Sequence, residues 1–503
     1  MSMWSLARMS RLAPRTTTCS SQPTARIPSM ANCLSMKPCA ARSCAMSKNE
    51  ALFGPHFGPY RPDARFGRED GPACASSTHS AMDERPGSAL AAGMTRRCFL
   101  ATAAAGFGMA VAACATGCSG LPGEAGSRDF DAAGHASLAT IQDSERGVHR
   151  ISIVMGGDVL AHRGIWMSGE RADGTRNYDH LFSAIAPTFK SADIAIINQE
   201  TVLGGVEMGL SGFPTFNSPQ ELGDAEAAAG IDVALAATNH ALDKGFEGIE
   251  ATLRFWRERH PEMLVPGIAD SNEAADRPHI VTRGRIAVAI LNYTETTNGI
   301  PMPAEHPYCV KSLYRSNFAA DVSRAREAGA DIVVACAHWG TEYVYEPNAV
   351  QRRLASRLIE AGVDAIIGTH PHVLQPVELM HRPDGRRVPV FWSLGNLISR
   401  QMEAPRTVGG LAGLTVEKIG DACAITSCSI QPTVMHKTSR SDTGMRVYRL
   451  ADYSDELAGG NNVETTEDFP SFTVAGCHDF ASKVLGASYD RASSSLLLEV
   501  NPL

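Results

Sequence analysis

The chain has 503 residues, of which 44% are hydrophobic and 20% are charged, with a formal net charge of −8. The hydrophobic content is enough for a sizeable core and excludes a wholly disordered chain. The mild acidity gives no reason to expect nucleic acid as a partner. The length allows roughly three domains, or one large domain with appendages. The 13 Cys predict neither a disulfide framework nor a thiolate zinc site, because eight precede residue 120 and no Cys-x-x-Cys spacing occurs.

The first 118 residues resemble a leader followed by an export signal. Residues 1–93 lack sustained periodicity and contain five Arg before the first acidic residue, Glu50, as in organellar transit peptides. The next segment favours a different interpretation, because Arg96 and Arg97 precede a short run of small apolar residues over 101–113. That order is typical of a secretory signal peptide with a twin-arginine motif. Met94 is then the expected start, and residues 1–93 are an over-extended gene model or an unusual leader.

The apolar run ends in a sequence that resembles a bacterial lipobox. Cys114 follows Val-Ala-Ala and would be lipidated as the mature N-terminus, and Cys118 is a second candidate. An ordinary buried helix is the alternative, but it would not need the Arg pair and the Cys at its ends. We therefore expect a signal peptide over 94–118, a flexible tether over 119–146, and an exported lipoprotein held at the cell membrane and facing outside the cytoplasm.

A repeated pattern predicts the fold class between about residues 150 and 400. Each copy has a helical stretch, a small residue, an Asp, a short apolar run and a polar cluster; the Asp residues are Asp193, Asp232, Asp331 and Asp364. Apolar runs of four to six residues are typical of strands covered on both faces. Helix signals precede them, such as Ser218 and Pro219 at a helix start and Gly230 at its end. The alternation predicts an α/β domain with largely parallel strands.

The polar clusters predict a binding site at one edge of such a sheet. Ligands bind beyond the carboxyl ends of parallel strands, and each cluster lies just past the end of an apolar run. Strands of similar length should therefore bring six candidate ligands together, namely Asp158, Glu200, Asn239, His338, His370 and His372.

These six side chains form a mixed oxygen and nitrogen donor set, which suits Mn, Fe or Zn rather than Ca. Six donors exceed one tetrahedral site, so a two-metal centre bridged by a carboxylate is the economical interpretation. Two metals can hold a phosphoryl or carbonyl group and activate water. His370 and His372 are two residues apart, so in an extended segment their side chains would point the same way.

A general acid is predicted beside the ligands. Asn239 and His240 are adjacent and should point apart, so that one binds metal while the other faces substrate. His240 is then the expected acid, and Asp243 is near enough in sequence to orient its other ring nitrogen. His162 is either a further ligand or a surface residue.

Six motifs resemble those of the CapA/PgsA family of bacterial capsule and poly-γ-glutamate synthesis, which is related to the calcineurin-like metallophosphoesterases. They occur in order over about residues 148–400: Gly157-Asp158, Asn198-Gln-Glu200, Thr238-Asn-His-Ala-Leu-Asp243, His338-Trp-Gly340, Gly368-Thr-His-Pro-His372 and Ser393-Leu-Gly-Asn396. The resemblance implies a metallophosphatase-like four-layer α/β/β/α sandwich with a binuclear metal site. In that site Asp158 would bind one metal, Glu200 would bridge both, and Asn239 with the three His would complete the coordination.

The resemblance leaves two functions open. The Asp-x-His motif with which metallophosphoesterases usually begin is absent, and His162 is the only nearby substitute. One function is metal-dependent hydrolysis or transfer on a phosphate or γ-glutamyl substrate. The other is a non-catalytic assembly or export factor that keeps the metal site to bind an anionic polymer. Both would place the protein in a capsule synthesis complex, with a domain over 147–436 and a C-terminal tail of unknown role over 437–503.

Overall fold

The structure, a computed structural model, describes residues 147–438 and 444–503. The predicted leader, signal peptide and tether lie outside these residues. Within the two described ranges, no helix is long and apolar enough to cross a membrane.

The described residues up to about residue 400 form strands and helices, with strands alone after residue 369. The strands before that point are β1 (Val148–Val159), β2 (Ile194–Gln199), β3 (Val233–Leu235), β4 (Ile280–Arg283), β5 (Ile286–Thr294), β6 (Ile332–His338), β7 (Ala365–Thr369), β8 (Val377–His381), β9 (Arg387–Phe391) and β10 (Asn396–Ile398). The later strands are β11 (Val408–Ile419), β12 (Ala422–His436), β13 (Arg446–Arg449), β14 (Tyr489–Asp490) and β15 (Ser495–Glu499). The helices are α1 (Arg163–Ser168), α2 (Asp179–Phe182), α3 (Ala186–Ser191), α4 (Glu221–Ala228), α5 (Gly245–Arg259), α6 (Asn272–Asp276), α7 (Phe318–Glu327), α8 (Ala349–Ala361), α9 (Asp455–Gly460) and α10 (Val474–Leu485).

The strands form two sheets. The first has the order β14-β15-β12-β11-β1-β2-β3, with β10 paired to β1 and β13 to β12, and the second has the order β4-β5-β6-β7-β9-β8. The neighbours β1, β2 and β3 are parallel, as are β5, β6, β7 and β9. Parallel neighbours need crossover connections. Helices supply them between β1, β2 and β3 and between β5, β6 and β7, whereas the connection from β7 to β9 contains β8. The prediction of largely parallel strands is therefore confirmed for the part of each sheet that ends at the polar clusters.

The faces of the two sheets pack against each other. Successive residues of a strand point to opposite faces, and Ile196 of β2 and Val334 of β6 belong to one buried apolar cluster between the sheets. In the same cluster, Cys336 Sγ of β6 lies 3.8 Å from Met155 Sδ of β1. The two inner layers of the sandwich are thus joined by apolar packing.

The outer faces of the sheets are covered by helices. Ile197, the residue after Ile196, packs in a second cluster with Phe189 of α3 and Trp256 of α5. On the other side, Val333 of β6 packs with Leu358 of α8 in a third cluster. These layers confirm the predicted four-layer α/β/β/α sandwich.

The repeated Asp has a structural role at the end of each strand opposite the polar cluster. The four carboxylates each accept a hydrogen bond, at 2.7 to 2.9 Å, from a backbone N–H of a neighbouring strand; the donors are Ser152, Ala195, Ala287 and Val333. Such bonds hold the beginning of one strand to the next. Each repeat thus has an Asp that joins neighbouring strands at one end of a strand and a polar cluster at the other end.

The chain after residue 444 extends the first sheet. Strands β13 and β15 pair with β12 in antiparallel register. Helix α10 contributes Cys477 and Phe480 to the cluster between the sheets. The predicted C-terminal tail over 437–503 therefore contributes strands and apolar side chains to the domain.

Gly157 allows the close approach that positions Asp158. A Cβ at Gly157 would lie 1.9 Å from the carbonyl oxygen of Gly395, which accepts a hydrogen bond from Asp158 N at 3.0 Å. We expect Gly157→Ala to lower the free energy of unfolding by about 1–3 kcal/mol, because the backbone must move to admit the methyl group. Urea unfolding measures this. Gly459→Ala is the control, since nothing lies within 4 Å of a Cβ built at Gly459, and equal losses in the two variants would contradict the prediction.

Candidate metal centre

The ends of five parallel strands bring the six predicted ligands together. Asp158 lies near the end of β1, Glu200 directly follows β2, and Asn239 lies in the turn after β3. His338 is the last residue of β6, and the other two His follow β7. All six side chains are buried. The site therefore lies where the carboxyl ends of strands from both sheets meet.

Glu200 is shared by two groups of side chains that could hold a metal ion. The first group is Glu200, His338 and His370, and the second is Asp158, Glu200 and His372; within each group the ligand atoms lie within 4.8 Å of one another. Glu200 Oε1 is 3.6 Å from His338 Nε2 and 3.7 Å from His372 Nε2. These distances are too long for hydrogen bonds. They are close to the separation of about 3.4 Å between two ligands that are each about 2.1 Å from a tetrahedral ion.

The carboxylate of Glu200 accepts no hydrogen bond from the described residues. Among the described residues, neither of its oxygens has a hydrogen-bond partner, and Nδ1 of His370 lacks one as well. Burial raises the pKa of Glu200 well above its usual range, against the opposing effect of the His372 charge. Buried polar atoms are almost always paired, so these unpaired donors and acceptors fit a site built for a cation.

The imidazole of His338 is held with Nε2 facing this carboxylate. Its Nδ1 lies 3.0 Å from Thr369 Oγ1, and its Nε2 lies 2.9 Å from Asn239 Oδ1. Burial lowers the pKa of His338 well below its usual range and lowers that of His370 to about 3, with the His372 charge adding to the effect. Both rings are therefore neutral at physiological pH, which is the form that binds metals.

Asp158 connects the second group. Its Oδ2 lies 3.0 Å from His372 Nδ1, and its Oδ1 accepts a hydrogen bond from Asn198 Nδ2 at 2.8 Å. Burial lowers the pKa of His372, but the Glu200 charge and the hydrogen bond to Asp158 outweigh it and raise the pKa to about 9. Without a cation, the group therefore keeps a proton on His372 as its positive charge.

The segment that carries His370 and His372 is not extended. Both residues have left-handed backbone conformations, with φ of 99° and 58°, so the predicted alternation does not apply, although both rings reach the cluster. The conformation is held by hydrogen bonds to the backbone. His370 N donates to Asp158 Oδ2 at 3.3 Å, and Asn396 Nδ2 donates to the His372 carbonyl at 3.3 Å.

His240 lies beside the ligands and contacts a different set of partners from Asn239. Its Nδ1 is 2.7 Å from Asp243 Oδ2, which also accepts a hydrogen bond from Phe216 N at 2.6 Å. The Phe216 ring packs edge-on against the imidazole, with 4.7 Å between the ring centroids. Because Nδ1 donates to the carboxylate, Nε2 is the nitrogen that can exchange a proton with a substrate.

His162 also packs against the Phe216 ring. Its ring centroid is 5.4 Å from that of Phe216, and its Nδ1 is 3.1 Å from the carbonyl of Leu160. Burial lowers the pKa of His162 to about 4. Neither ligand group found in the described part of the chain includes His162.

Sequence reasoning missed three polar residues that hold the ligands. Asn198 holds Asp158, Thr369 holds His338, and Asn298 Oδ1 accepts a hydrogen bond from Asn239 Nδ2 at 3.2 Å. Strand alternation offered a signal for Asn198, because it lies two residues before Glu200.

Residues 152–401 match the family model described as bacterial capsule synthesis protein PGA_cap. The chain belongs to this family. The chain is 26% identical over 282 residues to the PGA biosynthesis protein CapA of Bacillus subtilis, an alignment covering 54% of this chain and 68% of the relative. It is 28% identical over 262 residues to the capsule biosynthesis protein CapA of Bacillus anthracis, covering 50% of this chain and 60% of the relative.

Solved structures show weaker similarity to this PGA_cap chain. NAD nucleotidase of Haemophilus influenzae has 13% identity and a TM-score of 0.35, over 67% of this chain and 60% of the nucleotidase. Sulfate thiohydrolase SoxB of Thermus thermophilus has 15% identity and a TM-score of 0.30, over 58% and 42% of the two chains. Scores of this size support no conclusion about activity.

The buried charge of Glu200 predicts opposite effects of one substitution with and without metal. In EDTA, we expect Glu200→Gln to raise the melting temperature, because burying a carboxylate that accepts no hydrogen bond is costly. In Mn²⁺ at a hundredfold excess over the Kd of each ion, the parent should gain about 2.7 kcal/mol for each bound ion and the variant should gain less. Calorimetric or fluorescence melting curves measure both effects.

Glu226 provides the matched control. It is also buried, and no described residue forms a hydrogen bond with either of its carboxylate oxygens. It lies on α4 and belongs to neither group of candidate metal ligands. Glu226→Gln should keep the full stabilisation by Mn²⁺. An equal response of the two variants to Mn²⁺ would contradict the assignment of Glu200.

Proposed function

We propose that this PGA_cap chain is an exported, metal-dependent hydrolase or transferase that acts on a phosphate ester or γ-glutamyl bond during synthesis of an anionic envelope polymer. The observation that carries the proposal is the sharing of Glu200 by two ligand groups beside the His240–Asp243 pair. The polymer class is suggested by the names of the relatives in the two Bacillus species.

The donor set fits two divalent ions of Mn, Fe or Zn. Glu200, Asn239, His338 and His370 would hold one ion, and Asp158, Glu200 and His372 would hold the other. When bound, such ions polarise a phosphoryl or carbonyl group and lower the pKa of water. The unpaired oxygens of Glu200 support this assignment, because the described side chains around them offer no hydrogen bond.

His240 is the proposed general acid. Its Nε2 would give a proton to the leaving oxygen or nitrogen, while Asp243 keeps the proton on Nδ1 and stabilises the charged ring. The side chain of His240 is 7% exposed and that of Asp243 is 1% exposed. This shielding from water strengthens the ion pair between them.

A cationic group near the ligands supports an anionic substrate. The guanidinium carbon of Arg406 lies 3.5 Å from the centroid of the Tyr343 ring, and that ring is 6.1 Å from the His372 ring. Gln401 Nε2 donates to the Tyr343 hydroxyl at 3.2 Å. Arg406 Nη2 is also paired with Glu403 Oε2 at 2.7 Å, so a phosphate or carboxylate group of a polymer would share this guanidinium with Glu403.

One observation favours a second candidate, a non-catalytic polymer-binding factor. At the position where metallophosphoesterases usually have the His of Asp-x-His, this chain has Leu160. His162 lies outside both ligand groups within the described residues. The second group therefore has three side chains, and a metal held there by fewer ligands could serve to bind an acidic polymer.

The two candidates differ in whether His240 is needed for turnover. Hydrolysis of bis(p-nitrophenyl) phosphate and of γ-glutamyl p-nitroanilide by the purified full chain, loaded with Mn²⁺, distinguishes them. We expect His240→Ala to lower kcat by about 10²–10⁴ without changing the bound metal. His260→Ala is the matched control, because His260 also pairs with a carboxylate, Asp224 at 2.8 Å, and should keep full activity.

Equal kcat in His240→Ala and the parent, or no turnover of either substrate, would reject the proposed enzymatic function. The second candidate then predicts that the metal-loaded chain binds poly-γ-glutamate and that His370→Ala abolishes this binding.

We also propose that the protein is anchored to the outer surface of the cell membrane through a lipid on Cys114. Cys114→Ala in the producing cell should move the protein from the membrane fraction to the soluble fraction, because the acyl chains are its proposed attachment. Cys118→Ala should leave it in the membrane fraction. The opposite pattern would assign the lipid to Cys118, and no change in either variant would reject the anchor.

A further inference from the structure

A tight turn after β5 brings a polar side chain from the second sheet to the metal ligands of the first. Ile300 N donates to the Thr297 carbonyl at 2.9 Å, and the two central residues, Asn298 and Gly299, have φ of 53° and 75°. An Asn-Gly pair with both φ positive is typical of a type I′ turn.

The base of this turn is attached to a metal-ligand residue. Glu295 N donates to the His338 carbonyl at 2.8 Å, and Gly340 N donates to Glu295 Oε2 at 2.9 Å. The turn therefore has a defined position relative to His338, although Asn298 itself is exposed.

The side chain of Asn298 contacts Asn239 at the site. Asn298 Oδ1 accepts a hydrogen bond from Asn239 Nδ2 at 3.2 Å. Asn298 Nδ2 lies 3.4 Å from His240 Nδ1, but the proton on that nitrogen is directed to Asp243, so this contact is packing rather than a second hydrogen bond. Because Asn298 Oδ1 is an acceptor, it pairs with the NH₂ group of the Asn239 amide and not with its oxygen.

The contact becomes decisive when His338 binds a cation. In the structure, Asn239 Oδ1 lies 2.9 Å from His338 Nε2. A metal-binding Nε2 carries no proton, and the ring proton then lies on Nδ1, where Thr369 Oγ1 at 3.0 Å can accept it. Asn239 then loses His338 as a donor, and its remaining hydrogen bond in the described structure is the one to Asn298.

We infer that Asn298 is a positioning residue, which holds the Asn239 carboxamide with its oxygen toward Glu200, His338 and His370 and so strengthens metal binding by this group. The inference rests on the proposed function, in which the group holds one of two ions. Residues that orient metal ligands typically change metal affinity by about 10- to 100-fold when they are replaced.

Two variants separate the side chain from the backbone of the turn. Asn298→Gly removes the acceptor but tolerates positive φ, so the turn can be kept. Asn298→Asp keeps an oxygen that accepts from Asn239 Nδ2, and Asp also tolerates this backbone conformation. A role in the turn alone predicts that both variants bind metal as the parent does.

The test is a Mn²⁺ titration of the metal-free full chain by calorimetry, with electron paramagnetic resonance to count bound ions. We expect the Kd of one of the two ions to rise about 10- to 100-fold in Asn298→Gly, with the other Kd unchanged, and to return toward the parent value in Asn298→Asp. The melting temperature of the metal-free Asn298→Gly protein should match that of the parent.

Three outcomes would overturn the inference. If Asn298→Gly keeps both affinities, or if Asn298→Asp is as weak as Asn298→Gly, Asn298 does not orient Asn239 and the proposed function is unaffected. If the parent chain itself binds no Mn²⁺, the proposed metal-dependent function and this inference fail together.

Discussion

A buried carboxylate without hydrogen bonds is the constraint on which the rest of the site depends. Among the described residues, no donor bonds to either oxygen of Glu200, and removing such a charge from water costs several kcal/mol. The protein surrounds it with imidazoles at 3.6 and 3.7 Å rather than with hydrogen-bond donors at closer range. An arrangement that is unfavourable for the empty protein is expected where selection acts on binding rather than on stability.

The sandwich makes this arrangement possible because the candidate ligands come from both sheets. Asp158, Glu200 and Asn239 lie at or just after the ends of strands of the first sheet, and the three His lie at or just after the ends of strands of the second. The apolar cluster between the sheets holds the two sets of strand ends at a fixed separation. A cation at Glu200 would therefore connect the sheets at the edge where their apolar packing ends.

The sequence pattern was sufficient to predict that the six candidate ligands come together but not the local geometry that holds them. Asp158, Glu200 and His338 could be predicted because each ends a buried apolar run, and parallel strands bring such ends together. The left-handed conformation of His370 and His372 could not, because it depends on hydrogen bonds from His370 N to Asp158 and from Asn396 to the His372 carbonyl. These partners are distant in sequence.

Tertiary contacts also override the local sequence signal at two residues. Ser218 has the signature of a helix N-cap, but its hydroxyl lies 2.7 Å from Thr201 Oγ1 and α4 begins at Glu221. Asn298 has the signature of an ordinary turn, and only the folded structure shows that its side chain reaches Asn239. In both cases the side chain contacts a residue from another part of the chain, in place of or in addition to the local role.

The central claim is that Glu200 lies between two metal ions. Anomalous diffraction from crystals of the protein grown with Mn²⁺ tests it most directly, because the peaks locate each ion relative to the carboxylate. We expect two peaks, one beside Glu200, His338 and His370 and the other beside Glu200, Asp158 and His372. A single peak, or two peaks of which only one contacts Glu200, would contradict the account.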